Sequence, residues 1–136
     1  MRVLVDSNVL YWYLGDRAKL TPRVLKLLDD GSNDLYVSSV SLWELSIKVA
    51  KGKLTVPGNS IRSFYEQVDR IGITILTVTK GHILRTESLP HHHRDPFDRM
   101  ISVQCLAENL AIATTDSVFT LYGVQSVLEM TTPAMP

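Results

Sequence analysis

The residues of this chain with the clearest chemical potential are four separated carboxylates: Asp6, Glu44, Asp98 and Asp116. Two of them follow short apolar runs, Val3–Val5 and Leu110–Ala113, that are typical of buried strands. The other two lie where helical patterns begin. Carboxylates at such positions can act together only if the fold brings them to one place, so the surrounding elements decide what they do.

Each carboxylate also has a purely structural explanation. Asp6 and Asp116 are placed to cap the helices that follow them. Glu44 comes three residues after Ser41, which is the capping-box spacing and predicts that Ser41 opens the helix. Asp98 lies in the first turn of a helix opened by Asp95 and Pro96, where the helix dipole favours a negative charge. Taken singly, each acid is more readily explained as a cap than as a catalytic group.

The elements around these acids predict one α/β/α domain. Apolar runs alternate with helical patterns, and near-continuous apolar strands indicate a parallel sheet covered on both faces. We predict a three-layer fold whose central parallel sheet has four or five strands. The predicted strands are Val3–Val5, Leu35–Ser39, Ile73–Val78 and Leu110–Ala113, with Gln125–Leu128 as a candidate edge strand.

This architecture changes the interpretation of the acids. Parallel strands end at one edge of the sheet, and ligands bind in the crevice beyond their carboxyl ends. Four carboxylates in one crevice repel each other unless a cation neutralises them. Oxygen ligands select a hard ion, Mg²⁺ or Mn²⁺. One or two such ions suit phosphodiester hydrolysis by an activated water, and nothing in the chain resembles a serine or cysteine triad or a glycine-rich phosphate loop.

Composition sets wider bounds. The chain has 136 residues, of which 45% are hydrophobic and 21% charged, as in ordinary globular domains. No apolar stretch is long enough for a membrane span or signal peptide, and the single cysteine, Cys105, has no partner for an internal disulfide, so we expect a cytoplasmic protein. The formal net charge is zero and does not by itself favour nucleic acid. Cys105 and Trp43 are both predicted to lie in the core.

Four motifs give the chain a strong resemblance to PIN-domain nucleases, and within them to VapC-type toxins of bacterial toxin–antitoxin systems. They appear in the order of that family and span almost the whole chain: VLVDSNVL at 3–10, SSVSLWELSIK at 38–48, DPFDRMI at 95–101 and ATTDSVF at 113–119. A single VDSN would be weak evidence, but the four motifs in register are specific. The resemblance implies a single PIN-like nuclease domain over residues 1–130. The terminal residues 131–136 are expected to form a disordered tail.

The resemblance also implies roles for particular residues. Asp6, Asp98 and Asp116 would bind Mg²⁺ or Mn²⁺ directly, and Glu44 directly or through water. Neighbouring polar groups would orient these ligands or a water, namely Asn8 and Thr115. The implied activity is endoribonuclease cleavage of RNA. The implied partners are a second copy of the chain in a homodimer and a cognate antitoxin protein that inserts a peptide segment into the acidic groove.

Some features remain open at this level. The run His91–His93 predicts a solvated loop, or else RNA contacts together with Arg94 and Arg99. Asp95 is interpreted as a cap rather than a metal ligand. The alternatives are a PIN-type nuclease acting in RNA processing or on DNA, and a non-catalytic PIN-like binding module. An aspartyl-phosphate enzyme is disfavoured, because Asn8 stands where a second aspartate would be needed.

Overall fold

A computed structural model describes residues 1–92 and 94–127 of the chain. His93 and the predicted tail at 131–136 lie outside the described residues. The four strands are β1 (Arg2–Val5), β2 (Asp34–Ser38), β3 (Thr74–Leu76) and β4 (Ala111–Ala113). The α-helices are α1 (Ser7–Gly15), α2 (Pro22–Asp29), α3 (Ser39–Ala50), α4 (Ile61–Arg70), α5 (Lys80–Arg85), α6 (Pro96–Glu108) and α7 (Val118–Leu121).

The strands form one parallel sheet in the order β3-β2-β1-β4. The chain therefore builds outward from β1 to β3 and then returns to place β4 on the other side of β1. This reversal puts the crevice between the carboxyl ends of β1 and β4, where α/β sheets bind ligands. Where an edge strand was predicted at Gln125–Leu128, the described residues show a single parallel bridge from Ile112 to Ser126.

Two buried clusters, one on each face of the sheet, confirm the three-layer architecture. Val3 and Val5 of β1 pack into one cluster with residues of α1, α2, α3 and α4. Leu4 points to the opposite face and packs with Ile101 of α6 and with Phe119 of α7. Since successive side chains of a strand point to opposite faces, a strand that is apolar at every position is buried on both.

The start of α3 corrects one sequence expectation. The helix begins at Ser39, and its N-cap is Ser38, whose hydroxyl accepts a hydrogen bond from the Val40 amide at 3.0 Å. The same hydroxyl donates to the buried Gln104 side chain at 2.5 Å. Ser41 is fully buried, and no hydrogen-bond partner for its hydroxyl is found among the described residues. The prediction that Ser41 caps the helix was wrong. Ser38 and Ser41 lie within about one helical turn of each other, so the sequence pattern alone could not tell which of the two serines is the cap.

The two core predictions outside the sheet had opposite outcomes. Cys105 is buried, as expected, and its burial raises the pKa of the thiol to about 12. Trp43 was expected in the core, but 61% of it is exposed, and its ring packs edge-on against Phe97 at 5.3 Å. The reason is helical geometry: Leu42 and Leu45 take the inward face of α3, and Trp43 falls beside it. Over the described residues, no helix is both long and apolar enough to cross a membrane.

Candidate active site

Asp6 is positioned by the pairing between β1 and β4. Its amide donates to the Ala113 carbonyl at 2.9 Å, which extends the parallel ladder one residue beyond β1. Asp6 therefore lies beside Thr114, whose hydroxyl donates to Asp6 Oδ2 at 2.8 Å. The other oxygen, Oδ1, accepts from the Ser7 amide at 2.8 Å and caps α1. Only 8% of Asp6 is exposed, so both oxygens are held in fixed directions.

Glu44 reaches the same place from the second turn of α3. Ser7, the first residue of α1, donates its hydroxyl to Glu44 Oε1 at 2.7 Å. The second oxygen, Oε2, lies 3.8 Å from Lys48 Nζ, one turn further along α3. Ser7 thus bonds to Asp6 through its backbone and to Glu44 through its side chain, and it joins the two acids across 37 residues of sequence.

Asp116 is joined to this group through Thr114. The Asp116 amide donates to the Thr114 hydroxyl at 3.0 Å, and that hydroxyl in turn donates to Asp6. The carboxylate of Asp116 accepts from the amide of Val118, the first residue of α7, at 2.9 Å, but the N-cap residue of that helix is Ser117 and not Asp116 as expected. Asp116 is exposed, and it lies at the solvent side of the crevice.

Asp98 enters from α6, whose Ile101 packs with Leu4 of β1. Asp98 is half-buried, and its pKa is raised to about 7. Burial is the main cause, followed by the negative charges of four other acids: Asp95, Asp6, Asp116 and Glu44. The pKa of Asp6 is also raised by burial, and the hydrogen bonds from Thr114 and Ser7 oppose that rise. All four predicted site acids therefore share one electrostatic environment.

The chemistry of this group fits a hard divalent cation. The ligands offered are carboxylate oxygens, and their unbalanced negative charge is what a cation would neutralise. In the part of the chain that the structure describes, however, no three acid, histidine or cysteine side chains are already arranged to hold a metal ion. The structure thus brings the four acids into one neighbourhood without a preassembled coordination shell.

The hydrogen bonds to these acids come from residues that sequence reasoning missed. Asn8 and Thr115 were expected to orient the ligands, but both side chains are exposed. Ser7 and Thr114, their immediate neighbours, make the contacts instead. Thr114 directly follows the buried strand β4, which was an available signal, whereas Ser7 is the first residue of α1 and its position gave none. Asp95 accepts from the Phe97 amide at 2.9 Å, as expected for the cap of α6.

The two arginines expected to contact RNA differ sharply in this structure. Arg99 donates to the carbonyl oxygens of Pro90 at 2.8 Å and Leu89 at 3.2 Å, and to the Tyr122 hydroxyl at 3.3 Å. These bonds fasten the segment before α6 to Tyr122, the residue after α7. Arg94 is exposed.

Comparison with known proteins agrees with this architecture. The family model described as PIN domain matches residues 3–124, which is most of the chain. That range contains all four acids as well as Ser7 and Thr114. A search of curated proteins found no match.

Several solved structures share the fold. They include VapBC2 from Rickettsia felis bound to a DNA fragment from their promoter, at 18% identity and a TM-score of 0.67. VapBC from Salmonella typhimurium bound to DNA matches at 16% identity and a TM-score of 0.70. VapBC-1 from nontypeable Haemophilus influenzae matches at 16% and 0.69. Each alignment covers 93% of this chain and 96% of the other. At such identities the likeness establishes the fold alone.

Proposed function

The chain belongs to the PIN domain family, and from that premise we propose that it is a Mg²⁺- or Mn²⁺-dependent endoribonuclease. Proteins of this family are nucleases that generally use divalent metal ions. The single observation that carries the proposal is the convergence of Asp6, Glu44, Asp98 and Asp116 at the carboxyl edge of the sheet. Hydrogen bonds through Ser7 and Thr114 join three of them, and burial together with the negative charges of these acids and of Asp95 raises the pKa of Asp98.

In this proposal the protein's own residues hold the reacting groups. Asp6, Asp98 and Asp116 would bind the metal directly, and Glu44 would bind it directly or through water. Bound there, one or two ions supply an activated water and neutralise charge on the phosphate. Thr114 and Ser7 keep the Asp6 oxygens aligned, and Ser7 also fixes Glu44. The half-buried Asp98 is suited to binding a metal ion, because a nearby cation would offset the unfavourable charge of its ionised carboxylate.

The biological setting is also part of the proposal. The solved neighbours are VapBC complexes, which supports the interpretation that this chain is the toxin of a toxin–antitoxin pair, with an antitoxin protein as its partner. We place the active protein in the cytoplasm, as one nuclease domain over residues 1–130. A homodimer is supported by the exposed Trp43, which borders an apolar groove between α3 and α6.

The experiment is a cleavage assay on structured RNAs with and without Mg²⁺ or Mn²⁺. Asp6→Asn and Asp98→Asn are expected to lower the cleavage rate about 100-fold or more, the size that loss of one electrostatic group in an active site produces. Asp69→Asn is the matched control, because Asp69 is an exposed acid on α4, away from the site. Its rate should equal that of the parent.

Two results would contradict this function. Cleavage that continues in EDTA would exclude a metal-dependent reaction. Asp6→Asn and Asp98→Asn variants that cleave RNA as fast as the parent would exclude a catalytic role for these carboxylates. DNA of the same sequence, run in parallel, separates the ribonuclease from the alternative of a PIN-type nuclease acting on DNA. The other alternative, a non-catalytic binding module, predicts no cleavage of either nucleic acid, although all four acids are present in this chain.

A further inference from the structure

A second feature lies directly beside the acidic crevice. Four side chains and Pro96 line an open pocket of about 790 Å³, which we call the His–Arg pocket: His91, His92, Arg94, Pro96 and Arg99. Whereas the crevice is lined by carboxylates, this pocket is lined by two imidazoles and two guanidinium groups. The formal net charge of the whole chain is zero, so this is a local separation of charge and not a general basic character.

The His–Arg pocket has a supported wall. Arg99 is held by the carbonyl oxygens before α6 and by the Tyr122 hydroxyl, and its guanidinium lies 6.0 Å from the centre of the Tyr122 ring. The His92 ring packs on the same tyrosine, at 5.2 Å and a tilt of 56°. Tyr122 thus joins the end of α7 to the segment before α6, and the Arg99 guanidinium and the His92 ring both pack against it.

Arg94 is the group in this pocket that is available to a ligand. Unlike Arg99, it is exposed, and among residues 1–92 and 94–127 no acceptor for its side chain is found. A guanidinium with unused donors binds phosphate through two parallel hydrogen bonds. The imidazoles of His91 and His92 are exposed as well, and each can donate an N–H to a phosphate oxygen.

The pocket is contiguous with the site of the proposed reaction. Pro96, which lines it, comes two residues before Asp98 in the first turn of α6. Tyr122 directly follows α7, whose first amide, that of Val118, donates to Asp116. The first turn of α6 therefore carries Asp98 toward the crevice and borders the pocket with Pro96 and Arg99. A nucleic-acid strand that enters the crevice has this pocket next to it.

We propose that the His–Arg pocket binds a backbone phosphate of the RNA strand next to the phosphate being cleaved, with Arg94 as the main contact. This inference rests on the proposed function and deepens it. Four carboxylates repel the phosphates of an RNA strand, except for the one phosphate that the metal would hold. A cationic site beside the crevice is therefore needed to retain the rest of the strand. Arg99 contributes its positive charge from a fixed position, while Arg94 and the imidazoles supply the hydrogen bonds.

The test measures RNA binding and cleavage separately. A fluorescent 20-nucleotide single-stranded RNA is titrated with the Asp98→Asn protein in Mg²⁺, so that binding is measured without cleavage. Adding Arg94→Gln is expected to weaken binding about tenfold at low salt and to reduce the salt slope by about 0.7, the value for one phosphate contact to a single strand. Arg62→Gln, which removes an exposed arginine on α4, should change neither quantity.

In the otherwise unaltered enzyme, Arg94→Gln should raise KM for RNA with kcat within about twofold, because the contact is made equally in ground and transition states. Arg94→Lys should recover part of the binding, and unchanged Tm values would show that the fold is intact. An Arg94→Gln protein with the parent's Kd and salt slope overturns the inference even if RNA is cleaved. Weaker binding by Arg94→Gln in a protein that cleaves no RNA would instead support the pocket and contradict the proposed ribonuclease.

Discussion

At the scale of single residues, capping and site chemistry are not alternatives in this protein. Asp6 caps α1 with one oxygen and accepts from Thr114 with the other. Asp116 accepts from the Val118 amide at the start of α7, and its own amide donates to the same threonine. A cap fixes a carboxylate at the end of a strand, which is where an α/β sheet gathers its ligands. For Asp6, the structural role is therefore what makes the chemical role geometrically feasible.

The raised pKa of Asp98 leads to a prediction about stability. A carboxyl whose pKa in the folded state exceeds its unfolded value contributes stability at low pH that is lost as the pH rises through the folded value. For Asp98 that value is about 7, and the pKa of Asp6 is shifted in the same direction. The metal-free protein should therefore be less stable at pH 8 than at pH 6, and added Mg²⁺ should stabilise it more at pH 8.

The measurement is Tm from pH 5.5 to 8.5, in EDTA and in Mg²⁺. Asp98→Asn cannot ionise, so its Tm in EDTA should fall less between pH 6 and pH 8 than that of the parent, and its gain from Mg²⁺ should be smaller. Asp69→Asn, an exposed acid elsewhere, should follow the parent. If the Tm values of the parent and of Asp98→Asn fall by the same amount between pH 6 and pH 8, ionisation of Asp98 does not destabilise the folded protein.

At the scale of elements, the structure separates two serines that sequence reasoning could not rank. Ser38 caps α3 and bonds to the buried Gln104, whose amide also donates to the Leu76 carbonyl at 3.2 Å. Ser38 and Gln104 together thus join the ends of β2 and β3 to α6. Ser41 is equally buried, but no partner for its hydroxyl is found in the described part of the chain.

The two serines should therefore respond in opposite ways to loss of the hydroxyl. Ser38→Ala removes a cap and leaves Gln104 without one partner, so we expect a loss of about 1–3 kcal/mol in the free energy of unfolding. Ser41→Ala removes a buried polar group and should be neutral or stabilising. Urea denaturation measures both. A larger loss for Ser41→Ala than for Ser38→Ala would mean that Ser41 has the partner.

At the scale of the whole molecule, the apolar groove between α3 and α6 has no cover among the described residues. Its lining includes Val40, Phe97 and Met100 together with the exposed Trp43 and Ile83. Grouped exposed apolar side chains mark protein interaction sites. Trp43 and Phe97 are also sequence neighbours of Glu44 and Asp98, so an interface here would lie next to the acidic crevice.

If the protein is a homodimer, as proposed, Trp43 is the expected centre of its interface. Trp43→Ala should raise the dimer Kd about tenfold or more, since buried tryptophans commonly contribute over 1.4 kcal/mol to an interface. Tyr65→Ala provides the control, because Tyr65 is an exposed aromatic on α4. Sedimentation analysis across a concentration series measures both. A Trp43→Ala protein that dimerises like the parent would place the interface elsewhere.

Much of this molecule could be predicted from the sequence. Strand and helix patterns are local and periodic, so they identified the α/β/α class, four parallel strands and the burial of Cys105. The motifs then identified the PIN family and the four acids. Two predictions were wrong because the sequence pattern does not separate positions within one helical turn: Ser41 as the cap of α3, where the cap is Ser38, and a buried Trp43.

Only the tertiary structure decided which groups meet. The order β3-β2-β1-β4 depends on contacts between distant segments, and it alone brings Thr114 beside Asp6, 108 residues earlier in the chain. The tertiary structure also distinguishes Arg99, which donates hydrogen bonds to backbone carbonyl oxygens, from Arg94, which is exposed. The types of residue and their local conformations follow from short-range sterics and hydrophobic periodicity. Hydrogen-bond partners and shared charge depend on three-dimensional packing, which one-dimensional spacing does not encode.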